Sequence, residues 1–73
     1  MQLLPMDVPA EIHLWVASDA QDVVLAKGPL VIMAHGLMAI APTDRGACWI
    51  QTPSGDLTPD QAEEALASWS RRH

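Results

Sequence analysis

Three histidines, one cysteine and nine carboxylates are the side chains of this 73-residue chain with chemistry to offer. His13, His35, His73 and Cys48 are of types that bind zinc. Zinc sites, however, draw on close pairs such as C-x-x-C or H-x-x-x-H, and these four are scattered. No metal is expected. Glu63 and Glu64 are adjacent acids. Neighbours on a helix do not face each other, so a solvated surface is expected of them rather than acid–base work. Cys48 sits among apolar neighbours and reads as a small core residue, not a nucleophile. His35 reads as a turn residue and His73 as a terminal one. There is no G-x-S-x-G, no P-loop and no dinucleotide fingerprint. A chain this short also has little room for a concave pocket. The expectation is no enzyme and no cofactor.

What remains is a surface. Glu11 to Ala17 alternates, with Ile12, Leu14 and Val16 on one face of a half-buried strand and His13 and Trp15 on the other. Ala47 to Thr52 reads as another strand, with Cys48 and Ile50 on one face and Ala47, Trp49 and Gln51 on the other. If a helix covers the face of Ile12, Leu14, Val16 and Ile50, then Trp15 and Trp49 share the open face beside His13. Exposed aromatics are enriched in binding hot spots, so the three form a candidate partner-binding patch. The competing reading turns the sheet over and makes these tryptophans the core, since large aromatics usually bury.

The clearest element is the stretch Leu57 to His73. Thr58 is a good N-cap, Pro59 suits the first helical position, and Gln61 completes a capping box with Thr58. Leu57 can staple onto Ala62. Acids come early (Asp60, Glu63, Glu64) and Arg71 and Arg72 come late, which suits the helix dipole. Ala62, Ala65, Leu66 and Trp69 recur at helical spacing. An amphipathic helix of about four turns over residues 58–72 is expected, anchored by Trp69.

The rest must supply its docking surface. Residues 1–10 contain Pro5 and Pro9 and read as an irregular arm that can pack through Leu3, Leu4 and Met6. Val23 to Ala26 pairs with the first strand in a hairpin, and Lys27-Gly28-Pro29 breaks it. Leu30 to Ala41 is compatible with one buried helix. Two strands, Leu30–Ala34 and Leu37–Ala41, turned at His35-Gly36, are preferred because glycine tolerates the turn. In that register Met33 faces Met38 and Val31 faces Ile40. Pro42 to Gly46 is a turn, and Pro53 to Asp56 a loop into the helix. The expected fold is α+β: one domain over 1–73, a small antiparallel β-meander over 11–52, and one C-terminal α-helix packed on one face.

Composition narrows the partners. The net charge is −5, with Lys27, Arg45, Arg71 and Arg72 as the only bases beside three histidines. A free-standing nucleic-acid binder would carry a basic excess. With no Tyr or Phe, base stacking would fall to tryptophan alone. Arg71 and Arg72 with Lys27 and Arg45 could meet a phosphate backbone presented by a larger complex, although a charge matched to the helix dipole is the simpler reading. The lone cysteine forms no internal disulfide and fits a reducing compartment. Met1 to Asp7 has neither a basic region nor a long apolar core, so no signal peptide is expected. Pro29 to Pro42, interrupted by His35 and Gly36, is shorter than the roughly 18 residues of a membrane span. A cytoplasmic protein, monomeric or weakly oligomeric, is expected.

In being short, acidic and cysteine-poor, and in ending on the capped stretch Leu57-Thr58-Pro59-Asp60-Gln61-Ala62-Glu63, the chain resembles small phage-encoded regulators that bind host RNA polymerase, of the kind found in a Xanthomonas phage. The resemblance is one of length and general character and carries no residue over by motif. It implies a protein of the host-cell cytoplasm that binds bacterial RNA polymerase near β′, inhibits initiation and promotes antitermination. The site residues expected from the surface argument are His13, Trp15, Trp49, Arg45, Arg71 and Arg72. Two other classes remain: a small nucleic-acid-binding repressor or antitoxin, and a structural subunit that self-associates through residues 30–41.

Overall fold

A computed structural model describes residues 6–71. Half of the arm expected at 1–10, including Leu3 and Leu4, lies outside the described residues, as do Arg72 and His73. The elements are β1 (Pro9–Val16), β2 (Gln21–Pro29), α1 (Leu30–Met38), α2 (Pro42–Arg45), β3 (Cys48–Thr52), β4 (Gly55–Leu57) and α3 (Pro59–Ser70). The four strands form one antiparallel sheet in the order β2-β1-β3-β4. The expected α+β class, an antiparallel sheet with the C-terminal helix on one face, is what the chain adopts.

The C-terminal helix starts as its sequence dictates. Gln61 N donates to Thr58 Oγ1 at 3.2 Å, and Thr58 N donates to Gln61 Oε1 at 2.9 Å. Ala62 and Trp69 are buried and Ala65 and Leu66 half-buried, which is the expected stripe. Thr58→Ala should cost about 1 kcal/mol by freeing a first-turn amide. A fall in the urea midpoint at unchanged slope would show it.

Leu30 to Met38 is a helix, and the two-strand reading of Leu30–Ala41 is corrected. Leu30, Met33, Ala34 and Leu37 are buried, a spacing of three, four and seven residues that places them along one helical stripe. Met33 and Met38, and Val31 and Ile40, are therefore not cross-strand pairs. The helix has no side-chain N-cap. Its first amides are satisfied from a distance: Leu30 N donates to Val8 O at 2.9 Å and Val31 N to Met6 O at 2.8 Å. Its far end is held by Arg45, whose Nη2 donates to Met38 O and Ile40 O, each at 2.9 Å. Gly36 is no turn residue. It lets α1 lie close on the sheet, since a Cβ there would stand 3.3 Å from Ile12 Cδ1.

Other boundaries differ: β1 starts at Pro9, inside the expected arm, and the expected turn at Pro42 to Gly46 holds the short helix α2. β2 runs on through Lys27, Gly28 and Pro29, with Pro29 opposite Pro9, so the break comes at the start of α1. The loop expected at Pro53 to Asp56 contains a tight turn into β4. Gly55 makes that turn with φ +134°, and Thr52 Oγ1 donates to Gly55 O at 2.7 Å.

β2 and β3 both run antiparallel to β1, so they are parallel to each other and their connection must cross the sheet. That connection carries α1 and α2. α1 and α3 pack together on the face holding Ala10, Ile12, Cys48 and Ile50, with Trp69 closing the core. Among the described residues the opposite face carries no helix.

Candidate protein-binding face

The open face follows from strand alternation. Ile12 pairs with Ile50 on the core side, and His13 pairs with Trp49 on the other. Trp15 points the same way as His13 and is 47% exposed. Trp49 is half-buried, and its ring stacks on the His13 imidazole with centroids 5.3 Å apart and planes at 21°. Three of the expected site residues, His13, Trp15 and Trp49, are thus gathered on one uncovered surface.

The remaining expected residues are not gathered there. Arg45 is bound to the carbonyls at the end of α1, and its Nε is buried with no hydrogen-bond partner. Its role is to close that helix, which corrects the reading of Arg45 as a surface cation. Arg71 stands exposed at the end of α3, on the helical side of the sheet, and its Nε donates to Ala67 O at 3.3 Å. Arg72 lies outside the described residues.

Three residues outside the expected set complete the face. Glu11 is in phase with His13 and Trp15 along β1. Lys27 stands opposite Glu11, with Nζ 3.5 Å from Oε2. Asp22 arrives through an irregularity: β1 and β2 shift register between Ile12 and His13, and Leu25 is the extra residue on β2. Such a bulge re-aims everything beyond it. Val24 thereby falls opposite His13 and Asp22 opposite Trp15.

His13 is 5% exposed, and each of its ring nitrogens meets a carboxylate. Nδ1 donates to Asp22 Oδ1 at 2.6 Å, a diagonal cross-strand contact, and Nε2 donates to Glu11 Oε1 at 2.9 Å. Both bonds require the imidazolium. Burial works against that charge, but the hydrogen bonds and charges of Asp22 and Glu11 outweigh it and raise the pKa above 6.5. Two acids are therefore matched by His13 and Lys27 across the middle of the face.

A raised pKa in the fold means that the native state holds a proton the unfolded chain releases. Stability from this group is whole below pH 6.5 and is lost as pH rises through the folded pKa. Urea unfolding over this range should show a decline of about 1 kcal/mol, discounted because both carboxylates are partly in water. His13→Gln should remove the slope.

Glu11 and Asp22 hold opposite nitrogens of one ring, and among the described residues no three His, Cys, Asp or Glu side chains are placed to share a metal ion. Cys48 is buried on the helical side. Burial, then the nearby Asp44 charge, pushes its thiol pKa up, away from nucleophilic character. A shallow open groove of about 570 Å³ lies at one end of the sheet, beside Pro9, Glu11, Lys27 and Gln51. No helix among the described residues is long and apolar enough to cross a membrane.

No family model matches the sequence, and no curated protein or solved structure matches it significantly.

Proposed function

We propose that this chain is a non-enzymatic binding protein whose open sheet face holds a protein partner. The observation that supports this is Trp15, a large aromatic half in water near the end of β1, on a sheet face that carries no helix among the described residues. Beside it lie exposed Val24 and the stacked pair of His13 and Trp49. A half-exposed tryptophan is the residue type that most often carries binding energy.

The partner we propose is bacterial RNA polymerase, met near β′, with inhibition of initiation and antitermination as the outcome. Its choice comes from the resemblance of the short acidic chain and its capped C-terminal helix to phage-encoded regulators. The physical demand is modest. Binding that distinguishes two polymerase states by a few kcal/mol shifts their populations without any chemistry. The acidic balance of the chain favours a protein over free nucleic acid.

The test is affinity capture from bacterial lysate with tagged protein, before and after nuclease. Stoichiometric polymerase subunits that survive nuclease support the reading, and in vitro transcription across a promoter and a terminator then tests the two effects. Absence of polymerase, or recovery only of nuclease-sensitive material, overturns it in favour of direct nucleic-acid binding or self-association.

A further inference from the structure

We propose that the proton on His13 acts as a latch on the open sheet face: with it, Glu11 and Asp22 are tied to one ring, and without it Glu11 is released from the ring and the face gains a net negative charge. The regulatory consequence rests on the reading of that face as the binding surface.

Donors and acceptors decide how the ring is held. A neutral imidazole has one N–H and one lone pair, whereas an ionised carboxylate only accepts. At 2.6 and 2.9 Å, both ring nitrogens of His13 face carboxylate oxygens. Loss of one proton turns one of these bonds into a repulsion between lone pairs. The ring is poorly placed to relieve it by turning toward water, because it is buried and stacked on Trp49.

The groups around the ring decide which bond opens. On β1 the facing acid is Glu11. On β2 they are Asp22 and, beyond Glu11, Lys27. On β3 the ring meets Trp49, which does not titrate, and on β4 Asp56 stands one strand further off, behind Gln51. The helices lie against the other face. Glu11 already has a second cation in Lys27 at 3.5 Å, whereas Asp22 has no other side-chain partner among the described residues. Asp22 therefore keeps the remaining N–H, on Nδ1, and Glu11 turns toward Lys27.

Two things change together at the face. Trp49 loses the cation stacked on its ring. The four charged groups also go from two acids and two bases to two acids and one base. Covering the face with a partner then means desolvating a carboxylate with a weaker partner than before, which is unfavourable. Partner binding is tightest with the latch closed, at the acidic side of the His13 titration.

The experiment is a pH titration of the uniformly ¹⁵N-labelled full chain, following the His13 ring and the indole N–H signals of Trp15 and Trp49. The expected result is a Trp49 signal that moves with the same midpoint as His13, above 6.5. Glu11→Gln and Asp22→Asn should each lower that midpoint, and His13→Gln should leave Trp49 flat. Polymerase retention in the capture assay should fall about fivefold across the midpoint, equivalent to about 1 kcal/mol. A Trp49 signal that stays flat while His13 titrates overturns the latch, whatever is captured. So does an unchanged midpoint in Glu11→Gln, whereas unchanged retention across the midpoint with Trp49 titrating overturns the open face as the polymerase interface. A titrating Trp49 with no polymerase recovered at any pH upholds the latch and removes the partner proposed above.

Discussion

Trp69→Ala is expected to remove most of the cooperative unfolding of this chain. Trp69 is 6% exposed and is the largest side chain in the core that joins α3 to α1 and the sheet. Truncating a buried tryptophan to alanine costs about 3–5 kcal/mol, in lost transfer energy and in the cavity left behind. A domain of 73 residues has roughly 4–11 kcal/mol in total. The loss is therefore half or more of the whole for most of that range. The neighbours cannot easily close the gap. Leu30, Leu37 and Ile50 are fully buried in their own places, and the small core has few other large side chains to shift. Urea unfolding followed by far-ultraviolet circular dichroism measures the effect. A midpoint that moves by less than the equivalent of about 1 kcal/mol would mean that α3 does not depend on Trp69 for its docking.

The contrast between α3 and α1 explains what could be read in the sequence. Every signal that starts α3 lies within four residues: Thr58 caps, Pro59 starts, Gln61 reciprocates. Its buried stripe is likewise written at local spacing. α1 has no such signals because its ends are satisfied from elsewhere. Val8 and Met6 accept from its first amides, and Arg45 donates to the carbonyls at its end. With apolar residues on every side and His35-Gly36 in the middle, the stretch looks as much like a hairpin as a helix. Its own residues do not separate the two, and the tertiary partners do. β4 was hidden for a different reason, being three residues long and dependent on one glycine conformation.

The candidate face divides in the same way. His13, Trp15 and Trp49 were placed on one surface by period-two alternation, which is a local pattern. Glu11 shares that phase and was readable from the same rule. Asp22 was not, because only the extra residue Leu25 turns it to the open side, and a bulge has no signature in the residues themselves. The positive charge of Arg45 suggested a surface, while its position after α1 gives it carbonyls to close. Charge alone does not tell a binding cation from a capping one.

Trp15→Ala is the counterpart of Trp69→Ala, and its expected effect falls on binding. Trp15 is 47% exposed and lies on the side away from the core, so its removal leaves no buried cavity. The unfolding midpoint should stay within about 0.5 kcal/mol of the parent, as for an ordinary surface substitution. Polymerase capture should fall at least about 30-fold, the equivalent of the roughly 2 kcal/mol that marks a hot-spot residue. Trp49→Ala would not separate the two effects. Trp49 is half-buried and stacks on His13, so its loss disturbs the bridge to Glu11 and Asp22 as well as the surface. Trp15 makes the cleaner test because it contributes area to the face without holding its charges in place. Undiminished capture by a folded Trp15→Ala protein would take the open sheet face out of the interface. The exposed surface of α3, with Arg71 at its end, would then be the next surface to probe.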